Sequence, residues 1–177
     1  MKPAALLRHV LPAVFALSDS STEADPAAEA ATQALVPLAS AWARLDELGF
    51  EAEERITVHF HDVTEHGGPG LARAGAQQLR RLAALPGVSR NVIVSVFSAA
   101  MRLADFEAYA TCSGVQVALA QTLMALLGRS ELTSQPVGVE ALRATASVVC
   151  MREPLLEPAH ADLNATLCRK IAKLQWP

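Results

Sequence analysis

The sequence predicts an α/β fold, a Rossmann-like parallel sheet flanked by helices, and three observations predict it. Four short segments concentrate β-branched residues in a chain otherwise rich in alanine, and stretches of helical periodicity separate them. The most apolar of the four, Val92-Ile93-Val94 with Val96-Phe97, runs almost unbroken, as a strand buried on both faces should. Strands that alternate with helices imply parallel pairing, because parallel neighbours need crossover connections and helices supply them.

The expected strands are Ala13 to Ser18 (AVFALS), Arg55 to Val63 (RITVHFHDV), Asn91 to Ser98 (NVIVSVFS) and Thr145 to Met151 (TASVVCM). Between the first two, Asp25 is placed to cap a helix with Pro26 in its first turn. Leu35, Leu38, Trp42 and Leu45 recur at helical spacing until Gly49, with a kink at Pro37. Leu71 to Leu85 reads as the second helix, with Leu79, Leu82 and Leu85 on one side and Pro86-Gly87 as its stop. Tyr109 to Leu127 reads as the third, striped by Val115, Leu119, Leu123 and Leu126 and ended by Gly128. The stretch from Gly128 to Gly138 reads as a long loop, and a last helix runs from about Ala161 to Leu174.

The same residues admit an all-α reading. In it NVIVSVFS merges with Ala99 to Leu103 into one helix, and Glu51 to His66 forms another.

At 177 residues the chain has the size of one domain spanning residues 1–177. With 51% apolar residues, 19% charged residues and a formal charge of −3, it offers no basic field to draw in nucleic acid. Cys112, Cys150 and Cys168 are odd in number and follow no paired spacing, so neither a disulfide framework nor a thiolate metal site is expected, and a reducing cytoplasm fits. Arg8, His9 and Pro12 interrupt the apolar stretch after Lys2 that otherwise resembles a secretory signal, and no apolar run nears the roughly 20 residues that span a bilayer.

Residues Asn91 to Gly128, NVIVSVFSAAMRLADFEAYATCSGVQVALAQTLMALLG, resemble the catalytic core of the short-chain dehydrogenase/reductase family. In that family a buried strand ends at a serine, and a tyrosine then opens a long helix that carries a lysine four residues on. Ser98 and Tyr109 match in order, eleven positions apart, and the helix that follows has similar small residues at Gly114 and Ala118. The resemblance implies relic catalytic positions at Ser98 and Tyr109. It departs from the family where the lysine should stand, which is Ser113 here. A neutral hydroxyl supplies none of the positive charge that lowers a phenol from about 10 toward neutrality. It departs again after Ala13 to Ser18, where Asp19-Ser20-Ser21-Thr22-Glu23-Ala24-Asp25 replaces the glycine-rich turn that receives a pyrophosphate. Carboxylates there repel an anionic ligand, so no nucleotide cofactor is expected. The chain is thus expected to be a non-catalytic, dehydrogenase-like pseudoenzyme subunit. Its partners would be a second copy or an active reductase of the same family, met through the helices Leu71 to Leu85 and Tyr109 to Leu127, where Ala72, Ala74, Gly75, Ala118 and Ala120 permit close approach.

Two further functional readings compete. His59, His61, Asp62 and His66 in VHFHDVTEHGG could gather a metal at a strand end, with His160 and Asp162 the only partners available elsewhere, and Gly67-Gly68-Pro69-Gly70 beside them could approach a small ligand. The bland reading of that segment, a polar strand end and turn without metal, stands beside it. The last is an all-helical adaptor, which goes with the all-α fold.

Overall fold

The computed structural model describes residue 30 and residues 68–152 and 158–174, and among them the protein is helical, with no strand. The α/β expectation, and with it the Rossmann-like and dehydrogenase-like description, is therefore corrected to an all-helical fold. The expected strands Ala13 to Ser18 and Arg55 to Val63, the first expected helix and the turn from Asp19 to Asp25 lie outside the described residues.

We number the helices α1 (Gly68–Ala84), α2 (Arg90–Asp105), α3 (Ser113–Leu126), α4 (Ser130–Thr133, a single turn), α5 (Pro136–Cys150) and α6 (Pro158–Ala172). A 3-10 turn, Glu107–Tyr109, joins α2 to α3.

The expected third strand is the first half of α2, and burial along it shows why. A strand would set Val92, Val94 and Val96 on one face. Instead Val92 and Val96 are fully buried while Val94 is 42% exposed. The buried set Val92, Ile93, Val96, Phe97, Ala99, Ala100, Leu103 and Ala104 falls within less than half a turn around the helix axis, the stripe of a helix. Ser89 starts the helix, its Oγ accepting from the Val92 N–H at 3.3 Å. β-branched residues cost a helix only a few tenths of a kcal/mol each, and burial of one such side chain returns about 1.5–3 kcal/mol, so packing overrides the local preference.

The expected fourth strand dissolves in the same way. Thr145, Ala146 and Val149 are buried and Ser147 and Met151 exposed, and the segment is the C-terminal half of α5. That helix begins at Pro136, whose missing N–H costs nothing at a first helical position. The expected loop from Gly128 to Gly138 is in consequence largely helical, holding α4 and the start of α5. Gly138 lets these two meet, because a Cβ there would fall 2.1 Å from the Leu132 carbonyl oxygen, a backbone atom with little room to give.

Helices α1 and α3 form the closest pair and run parallel. The Arg73 side chain lies across Gly114, with its Cδ 3.1 Å from where a Cβ would stand, and seven residues further along both helices Arg80 donates to Gln121 at 2.7 Å. Small residues at Ala72, Ala76, Ala83, Gly114 and Ala118 keep the pair close. Past the end of α3, the Arg129 guanidinium donates from Nε to the Ala83 carbonyl at 2.8 Å and from Nη2 to the Leu85 carbonyl. A cation thereby holds the carbonyl end of α1, where helical carbonyls lack partners of their own. Gly87, at φ 71°, then turns the chain toward α2.

Helix α3 is buried on most sides, packing against α1, α2, α5 and α6, and is the centre of the core. Its two buried polar side chains, Gln116 and Thr122, each turn to a backbone carbonyl, those of Tyr109 (3.0 Å) and Ala118 (2.8 Å). Helices α5 and α6 are antiparallel. Cys150 and Cys168 are joined by a disulfide with Cα atoms 6.1 Å apart, and the Arg143 guanidinium donates to the carbonyl of Leu174 at the other end of the pair. The expectation of unpaired cysteines is corrected accordingly. Sequence spacing says nothing of two helices that fold back on each other, and it is this fold that brings residues 18 apart to bridging distance. Cys112 remains free.

Candidate functional site

The expected relic pair is placed on different elements. Ser98 sits half-buried inside α2 rather than at a strand end, and Tyr109 ends the 3-10 turn, 4% exposed. Phe106 packs its ring against Tyr109 with centroids 5.1 Å apart, tilted by 37°. The Tyr109 carbonyl is held by the Gln116 amide, which fixes the turn against α3. Burial pushes the phenol above its ordinary value, and the nearby Cys112 thiol, which gains negative charge when ionised, pushes it the same way. A phenol that serves as a proton donor to a hydride acceptor needs the opposite shift. Ser113, where a lysine was wanted, is the first residue of α3. The environment of Tyr109 is that of a core aromatic anchoring the α2–α3 connection.

The metal candidates His59, His61, Asp62 and His66 lie outside the described residues. Asp162 is exposed on α6. Among the described residues no group of three or more His, Cys, Asp or Glu is close enough to hold a metal ion, and no helix is long and apolar enough to cross a membrane. The two helices expected to offer an association surface, α1 and the α3 region, pack on each other within the chain, which uses the small residues Ala72 and Ala118 internally.

The surface feature that the sequence reading missed is on α5, which is apolar on two sides. Its inward side carries Val139, Leu142, Ala146 and Val149, all buried. Its outward side carries Val137, Ala141, Ala144, Val148 and Met151, spaced four, three, four and three residues apart. At 100° per residue these five fall within one stripe less than a quarter-turn wide, well rotated from the buried side. Val137 is 76% exposed and Met151 77%, Ala144 is exposed, and Ala141 and Val148 are half-buried. Glu140 and Ser147 border the stripe along one edge, exposed Glu140 about 40° of helix turn from Ala144, and Arg143 lies further round. Its sequence signal is Pro136 followed by a four-three apolar repeat, which runs from the expected loop (Gly128 to Gly138) into the expected strand (Thr145 to Met151).

Comparison with protein-family models, with curated proteins and with solved structures yields no match to the chain.

Proposed function

We propose that the chain is a helical adaptor, a module that contributes a binding surface instead of chemistry, and that the outward stripe of α5 is that surface. The observation that carries this reading is the exposure of Val137 and Met151 at the two ends of an apolar, helix-spaced stripe. Scattered exposed apolar residues are ordinary, but a continuous row with heptad spacing is the pattern by which one helix receives another.

The occupant that fits best is a second copy of the same helix. The two ends of the stripe are related about Ala144, with Val137 and Met151 each seven residues away. A two-fold axis at Ala144 would set two α5 helices antiparallel, with small residues at the close central contact and Val137 of one copy against Met151 of the other. Exposed Glu140 of each copy would lie across from Val148 of the other, at the edge of the contact where water still reaches it. A helix of 15 residues is about 22 Å long. One face of it offers on the order of several hundred Å² per partner, short of the roughly 800 Å² per partner of a standard stable complex. The pairing is accordingly weak and reversible, in the micromolar range or above.

Sedimentation of the full chain from micromolar to millimolar concentration tests the proposal. Self-association with a midpoint in that range is expected, and Ala144→Glu should abolish it while the far-UV spectrum stays helical. A chain that remains monomeric throughout, or whose association is indifferent to Ala144→Glu and Met151→Glu, overturns the reading.

A further inference from the structure

We infer that the Cys150–Cys168 disulfide is a redox latch that decides whether α6 stays docked on the helical core. Four observations converge on α6. It is the last described helix and is tied covalently to α5 by a bridge whose two cysteines are both half-exposed, within reach of a reductant. Its apolar contribution to the core is small: Leu167 and Ile171 are buried and Leu163 is half-buried, whereas α2 and α3 each bury six or more apolar residues.

The third observation is a costly group at one end of its buried face. Asn164 is fully buried, one turn before Leu167, and neither atom of its amide meets a hydrogen-bond partner among the described residues. Among the described residues the amide gains no partner for the water it loses when α6 docks, which subtracts from what the leucine and isoleucine contribute. The fourth lies at the same end of the helix pair. The antiparallel register that joins 150 to 168 brings residue 152 level with the turn of α6 that follows Asn164, and the Arg152 Nη1 is likewise buried without a partner among the described residues. Both polar groups lie on the side of the bridge toward the start of α6 and, among the described residues, favour separation, while the disulfide and the remaining contact oppose it.

The switching step is thiol–disulfide exchange with a dithiol reductant of the thioredoxin type. One thiolate of the reductant attacks Sγ of Cys150 or Cys168 to form a mixed disulfide, and the displaced sulfur leaves as a thiolate that takes up a proton. The second thiol of the reductant then displaces the first cysteine, so two electrons and two protons pass to the pair and the reductant becomes a disulfide. With the bridge open, the contacts that hold α6 among the described residues are its few apolar packing partners and the Arg143 donation to Leu174. Release uncovers the apolar sides of α3 and α5 against which α6 packs. The latch acts whether or not α5 pairs two copies.

Hydrogen exchange on the full chain, oxidised and then reduced with dithiothreitol, tests the inference. A bridge closing a loop of this size restrains opening by roughly 100-fold. Reduction is therefore expected to speed exchange of the α6 amides by about that factor while those of α1 and α3 change little. Cys150→Ser should reproduce the reduced pattern without reductant. Asn164→Leu, which removes the unsatisfied amide, should restore much of the α6 protection in the reduced protein. Equal α6 protection in both redox states, a loss spread evenly over all helices, or thiols at both positions in the air-oxidised protein would overturn it.

Discussion

Replacing Arg129 by methionine removes the one side chain that joins the end of α3 to the end of α1 by two hydrogen bonds. Its Nε and Nη2 donate to the carbonyls of Ala83 and Leu85, so a single guanidinium serves two acceptors that the end of a helix leaves open. Hydrogen bonds from a charged donor are worth about 1.5–3 kcal/mol each, with a few tenths more from a cation at a helix carboxyl end. The neighbouring Ala84, Pro86 and Gly87 are exposed, so water reaches both carbonyls once the guanidinium is gone, and the low end of the range applies. Arg129→Met is expected to cost about 3 kcal/mol in urea unfolding with an unchanged slope, a fall of about 6–12 °C in Tm for a chain of this size. Arg129→Lys keeps the charge but not the fork, and should recover about half the loss. Losses below about 0.5 kcal/mol for both variants would refute the claim that this residue fastens the parallel pair.

Two other expectations follow from the same structure. Tyr109 is the only tyrosine of the chain, so its phenolate absorbance near 295 nm reports one site. Burial and then the Cys112 thiol raise its pKa, so the midpoint should lie above the ordinary value of about 10. The folded state then holds the proton more tightly than the unfolded state, and stability is complete below about pH 10 and falls as pH climbs through the raised midpoint. A midpoint at or below 10 would show the phenol to be freely solvated or near a cation. In the second experiment the helical reading of residues 91–98 is tested by contrast. Val94→Lys should change stability by less than about 1 kcal/mol because the side chain is largely outside, whereas Val96→Lys buries a charge and should prevent stable folding. Equal damage at both positions would favour a strand, measured by thermal unfolding followed in the far ultraviolet.

Much of the α-helical content was legible in the sequence where amphipathic spacing was unambiguous. The helix expected over Leu71 to Leu85 ends where Pro86 and Gly87 stop it, and the stripe Val115, Leu119, Leu123 and Leu126 is the buried face of α3. What failed was the inference from β-branched clustering to strands. In Val92-Ile93-Val94-Ser95-Val96-Phe97 the helical and extended periods both place apolar residues on a buried face, and only burial at Val94 separates them. Tyr109 as a helix start failed for a related reason: Cys112, not Tyr109, precedes α3, and a 3-10 turn absorbs the tyrosine into the core. The disulfide was not legible at all, because pairing of Cys150 with Cys168 depends on an antiparallel hairpin that the strand reading of Thr145 to Met151 ruled out.

The two apolar sides of α5 connect the adaptor reading with the latch. Residues 139, 142, 146 and 149 fasten α5 to the core, the stripe from 137 to 151 faces outward, and Cys150 lies off both, on the side that meets α6. One helix therefore touches the core, the covalent tether and the exposed surface at once. A change in α6 docking alters what restrains the last turn of α5, which is where Met151 sits at the end of the stripe. Were α6 to leave, that turn would lose its tether while Val149 still held it to the core, so the stripe would persist with a more mobile end. Pairing of two copies should then weaken upon reduction without being abolished, because Val137, Ala141 and Ala144 lie on turns that the disulfide does not reach.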